Sequence, residues 1–113
     1  MGVDVYMRWD GFGEENEGNP NYDKQITGYQ ENGKDGYLRM GYGYDKYEEV
    51  CLAWCWDWEK DSPFTPELIK EFIAKVKELK EIDESFIKEM LDFAEFGKRL
   101  NKEGKNPKIH TSY

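Results

Sequence analysis

Chemistry in this chain of 113 residues has few side chains to start from. The single histidine is His110, with Thr111, Ser112 and Tyr113 beside it. A Ser/His/Asp or Cys/His triad would have to run through that ring, yet one histidine in such a segment reads first as a surface or pairing residue. Cys51 and Cys55, together with His110, fall short of the four N or S ligands that a structural zinc takes. On a strand the two cysteines would stand about 13 Å apart at ~3.3 Å per residue. A disulfide needs Cα atoms within ~7 Å, so both are expected to be reduced, buried and small. Asp10, Glu14, Glu15, Glu17 and Asp23 offer oxygen ligands, but Asp10-Gly11-Phe12-Gly13-Glu14 lacks the alternating acids of a calcium loop. A solvated charged loop is the expectation there. Gly11-x-Gly13 and Gly41-x-Gly43 are completed neither by a third Gly nor by the Gly-Lys-Ser/Thr of a phosphate loop. Asp57, Glu59 and Asp61 follow a Trp-rich segment, which is how glycosidase carboxylates can be placed, and also how a strand ends at solvent. No catalytic residue, metal ligand or cofactor is predicted.

One segment is more suggestive. Gly36-Tyr37-Leu38-Arg39-Met40-Gly41-Tyr42-Gly43-Tyr44 interleaves three glycines with three tyrosines around one cation. Glycines permit close backbone approach, and tyrosines offer flat faces with polar tips. Tyr37, Arg39, Tyr42 and Tyr44 are therefore the candidate ligand-binding residues, for a planar or sugar-like group stacked on Tyr and gripped by Arg39. The plainer reading is a strand and turn whose tyrosines pack at a sheet rim. Arg39 itself has two fates. The expected one is structural: it forks onto a carboxylate such as Asp4, Asp57 or Glu59 as a buried cation, so that Arg39→Met should lower the melting temperature markedly. The other is to present its guanidinium to an anionic ligand.

The elements that would position these residues fall into two halves. Val3, Val5, Met7 and Trp9 alternate with Asp4, Tyr6 and Arg8, which predicts a strand with the first set on one face. A polar loop follows over 14–24, then a short strand at 25–30. Asn32-Gly33 and Asp35-Gly36 are turn dipeptides leading into a strand over 37–42. Val50–Trp58 alternates large with small residues as a strand would, although Asp45-x-x-Glu48 is a possible capping box for a helix over 46–60; both readings stay open. Thr65-Pro66 is an N-cap followed by Pro at the first helical position. Leu68, Ile69, Phe72, Val76 and Leu79 then recur at helical spacing, giving a helix over 66–80. Asp83 can cap a second helix over 84–103 with Phe86, Met90, Phe93, Ala94 and Leu100 on one stripe; Gly104 and Pro107 end it. Residues 108–113 read as a final strand. The short joint near Ile82 and Asp83 makes the helices antiparallel neighbours.

Length fits one domain, 1–113. Aromatic residues are 16% of the chain, enough bulky apolar surface to build a core and to argue against disorder. The net charge of −8 is confined to the front. Residues 1–61 hold 14 Asp/Glu against 6 Lys/Arg, whereas residues 62–113 hold 10 of each. That balance speaks against direct nucleic-acid binding and against docking on anionic membranes. The start has no basic and apolar signal-peptide pattern, and no apolar run approaches the ~18 residues of a membrane span. A cytoplasmic address is the expectation.

Three places carry a family likeness. They are the opening from Met1 to Gly11, the central Gly36-Tyr37-Leu38-Arg39, and an ending that runs from Leu91-Asp92-Phe93-Ala94 through Glu103-Gly104 to Thr111-Ser112-Tyr113. In these, covering under half of it, the chain resembles a small family of bacterial and phage proteins that has no established activity. In that family the central motif continues into Glu, Ala, Tyr, His and paired Gly, where Met40, Gly41, Tyr42, Gly43 and Tyr44 stand here. The resemblance implies that both chain ends belong to the folded core, and it supplies no function. The predicted fold is α+β: a small antiparallel or mixed sheet, with an antiparallel helix pair packed on one face and the first and last strands adjacent. Three functional readings follow: a non-enzymatic binding or accessory protein with a protein partner, of phage or mobile-element origin; an acidic mimic of nucleic acid that inhibits a host enzyme; or a small ligand-binding or catalytic pocket around Arg39 and the tyrosines.

Overall fold

The computed structural model describes residues 2–12, 24–25, 31, 33–41, 62–79 and 84–112. It has the expected α+β architecture. Strand β1 spans Gly2–Arg8, β2 Tyr37–Gly41, β3 Ser62–Pro63 and β4 Lys108–Ser112. Helix α1 spans Pro66–Glu78 and α2 Glu84–Lys102. The sheet order is β2-β1-β4-β3, and every pairing in it is antiparallel. The first and last strands are adjacent, as expected, with Val5 opposite Thr111 and Met7 opposite Ile109. The two-residue β3 lies at an edge and contains Pro63, which cannot donate to a ladder and is at home there.

The alternation in β1 decides which way the sheet faces. Val5, Met7 and Trp9 are buried, and they meet Leu38 and Ile109 from the neighbouring strands in one apolar layer. Two amphipathic helices close that layer. In α1 the Thr65 side chain accepts a hydrogen bond from the Leu68 N–H at 3.2 Å, a working N-cap ahead of Pro66. Ile69, Phe72 and Val76 are its buried stripe, with Leu68 and Leu79 partly covered. In α2 the stripe is Met90, Phe93, Ala94, Phe96, Gly97 and Leu100, while Phe86 packs at its margin. Phe64, just after β3, is fully buried between the helices, with ring centroids 5.9 Å from both Phe72 and Phe93. The Asn101 amide donates to the Phe64 carbonyl at 2.9 Å and so ties this segment to α2.

Three expectations are redrawn or fall elsewhere. Lys24 and Gln25 have helical backbone, so the strand predicted from residue 25 does not begin there. Of the turn dipeptides ahead of β2, Gly33, Asp35 and Gly36 lie in a turn packed on α2, while Asn32 and residues 26–30 lie outside the described residues. Gly33 has φ 82° and lies so close to α2 that an added Cβ would sit 2.4 Å from the Glu89 carbonyl oxygen. Gly36, at φ 70°, is pressed against Met7 and Phe96. The 14–23 acidic loop, the strand-or-helix alternative over 46–60, both cysteines, and Asp57, Glu59 and Asp61 lie outside the described residues. Among the described residues no helix is long and apolar enough to cross a membrane.

Candidate functional site

Because Val5 and Met7 point into the core, Asp4, Tyr6 and Arg8 must point to the opposite, outer face of the sheet. Strand register then fixes their neighbours. Asp4 stands opposite Arg39, Tyr6 is flanked by Tyr37 on β2 and His110 on β4, and Arg8 stands opposite Lys108. The face therefore carries a row of three rings. The Tyr6 and Tyr37 centroids are 5.2 Å apart, and those of Tyr6 and His110 are 6.4 Å apart. Below that row the Arg8 guanidinium lies between two rings, 4.3 Å from the Phe12 centroid and 5.1 Å from that of Tyr6. Above it, Asp4 is the hub. Its Oδ1 accepts the Tyr37 hydroxyl at 2.5 Å and contacts an Arg39 guanidinium nitrogen at 3.4 Å.

The loop before β2 holds this constellation in place. Gln25 is buried, and its Nε2 donates to the Asp35 carbonyl at 2.9 Å, that of Met7 at 3.3 Å and that of Gly36 at 3.4 Å. One side chain thus binds the loop to β1. Gly33 N–H donates to the Tyr37 carbonyl, and the Asp35 carboxylate accepts the Glu31 N–H at 2.8 Å. Tyr37 enters β2 from this fixed base.

No protein-family model, curated protein or solved structure matches the chain. The site has to be read from its own geometry.

Of the four candidate residues, Tyr37 and Arg39 fall together on the outer face, and Tyr42 and Tyr44 lie outside the described residues. Arg39 does find Asp4, one of its three expected carboxylate partners. The expected burial is not there: the Arg39 side chain is 58% exposed. A pair this exposed is screened by solvent and contributes little to folding. Arg39→Met should therefore leave the thermal midpoint close to that of the unaltered chain. A large drop in a melting experiment would restore the structural reading. Tyr6, Arg8 and His110 are the members of this site that the sequence reading does not assign to it, although the β1 alternation holds the signal for the first two. Gln25 had no signal, being one polar residue in a polar stretch. Among the described residues no group of three or more His, Cys, Asp or Glu side chains is placed to hold a metal ion.

The electrostatics of the hub favour a neutral phenol. Burial, and then the hydrogen bond to and charge of Asp4, push the Tyr37 hydroxyl from its ordinary 10.0 up to about 12. Tyr6 is raised too, chiefly by burial and then by the Asp4 charge. A folded-state value above the unfolded one adds stability that is fully present below pH 10 and is lost as pH rises toward 12. Denaturant midpoints should fall across that interval. Tyr37→Phe should flatten the fall while weakening the fold at neutral pH by about 1 kcal/mol for the lost hydrogen bond. An alkaline decline of equal steepness in both proteins would show that Tyr37 is not its source.

Proposed function

We propose that the chain is a non-enzymatic binding or accessory protein, and that the outer face of its sheet is the surface that meets a protein partner. The observation that carries this is the state of Arg39. Its contact with Asp4 is made through one nitrogen, and more than half of the side chain is exposed. A guanidinium has five donors, so most of its bonding capacity is turned outward beside a row of rings. Arginine and tyrosine in this combination are the residue types that dominate recognition surfaces. A cytoplasmic setting and a phage or mobile-element origin accompany the proposal, the latter supported by the three family-like motifs.

The net charge of −8 supports a second reading, an acidic mimic that occupies the basic groove of a host enzyme. Most of the front-half carboxylates lie outside the described residues, which leaves that reading resting on composition.

Affinity capture from the native source, run in parallel with the unaltered chain and with Arg39→Ala, tests the first reading. A specific partner should be retained by the former and lost by the latter. If both retain the same proteins, the outer face is not the recognition surface. Loss of the partner from both at modestly raised salt would move weight to the mimic.

A further inference from the structure

Charge is laid out on the outer face in a way that specifies a ligand more narrowly than "a partner". Arg39 on β2 stands beside Asp4, and Lys108 on β4 stands beside Arg8, four residues further along β1. With ~3.3 Å per residue along a strand and ~4.8 Å between strands, the two cations sit diagonally across the face, about 16 Å apart at the backbone. Both are exposed, and among the described residues Lys108 makes no ion pair. Between them lie Tyr6 and His110, partly exposed, and Tyr37, the third ring of the same row, is buried. The register sets Arg8 and Lys108 directly opposite each other.

We propose that this face binds an extended acidic peptide segment, with carboxylates at positions i and i+4 taken by Arg39 and Lys108 and a ring-bearing or apolar side chain at i+2 resting on Tyr6 and His110. An extended strand carries i and i+4 about 13 Å apart on the same side, with i+2 midway on that side. Two glutamate side chains supply the remaining reach. Aromatic rings beside arginine also suit single-stranded nucleic acid. The overall charge of −8 opposes a polyanion far more than a ligand with two charges, and Asp4 stands within the face itself. The inference rests on the proposed binding role and adds the class of ligand.

The test uses the full chain, isotope-labelled, with capped eight-residue peptides in a Gly/Ser frame. One carries Glu at its third and seventh positions and Tyr at its fifth; its control carries Gln for both Glu. Amide shifts should cluster on β1, β2 and β4, and the Gln control should bind at least tenfold more weakly. Arg39→Gln and Lys108→Gln should each weaken the Glu peptide about three- to tenfold. Neither residue touches the core, so both variants should melt like the parent. Equal binding of the two peptides, shifts outside these strands, no binding, or tighter binding of a thymidine octamer would each overturn the proposal. Partner capture that depends on Arg39 would survive any of those results, so the two ideas can fail separately.

Discussion

A chain lacking residues 107–113 is expected to show no cooperative thermal transition. The removed segment contains β4, which lies inside the sheet between β1 and β3. Its loss strips β1 of one of its two partners and leaves β3 with none among the described strands. It also removes Ile109, fully buried in the core, and the Pro107 carbonyl that accepts the Phe64 N–H at 2.8 Å. The apolar faces of both helices would then stand over an incomplete sheet. A domain of this size is stable by roughly 5–15 kcal/mol in total, and the loss of an interior strand exceeds what such a margin tolerates. Scanning calorimetry with near-ultraviolet circular dichroism gives the readout. A sharp melt near that of the full chain would mean that β4 is not structural, and the sheet order would have to be redrawn.

Phe93→Ala is expected to be the most damaging of the simple core substitutions. Phe93 is fully buried on α2 and meets Phe64 at 5.9 Å and Phe72 at 6.5 Å between ring centroids. These three rings join the segment after β3, helix α1 and helix α2 into one block. Truncating a buried phenylalanine costs about 3–5 kcal/mol, through lost transfer energy and the cavity left behind. For a chain near 100 residues this lowers the melting temperature by about 10 °C or more. Phe93→Leu keeps most of the volume and should cost clearly less. If the alanine variant falls by only a degree or two, the rings are not packed as a block.

How much of this was legible in advance depended on periodicity. Where apolar residues repeat with a clean period, the sequence reading and the structure agree: β1, β2, β4 and the two helices differ from their predicted limits by no more than two residues. Thr65 and Pro66 marked the start of α1 because capping is a local interaction. Phe64 was not singled out, because one ring after Ser62-Pro63 has no period to reveal it. The packing of Gly33 against the Glu89 carbonyl was equally silent. A turn signal shows that the chain bends there, and cannot show what it bends against. The same limit applies to Arg39. Its carboxylate partner could be narrowed to three residues, but its exposure follows from which face of β2 it occupies, and that is fixed only by the register with Asp4.

The pairing of β1 with β4 also sets a timetable for the growing chain. Asp4 and Ser112 are register partners separated by nearly the whole sequence. At ~5–20 residues per second of synthesis, β1 waits on the order of 5–20 s for the strand that completes its central pairing. During that interval Val5, Met7 and Trp9 have no finished core to enter, although the later-made helices can already form locally. Folding of this sheet is therefore slow for its length, because the ordering entropy of a very long loop precedes the contacts that reward it. Moving the termini by circular permutation, so that β4 leads directly into β1, should speed refolding far more than it changes the final stability.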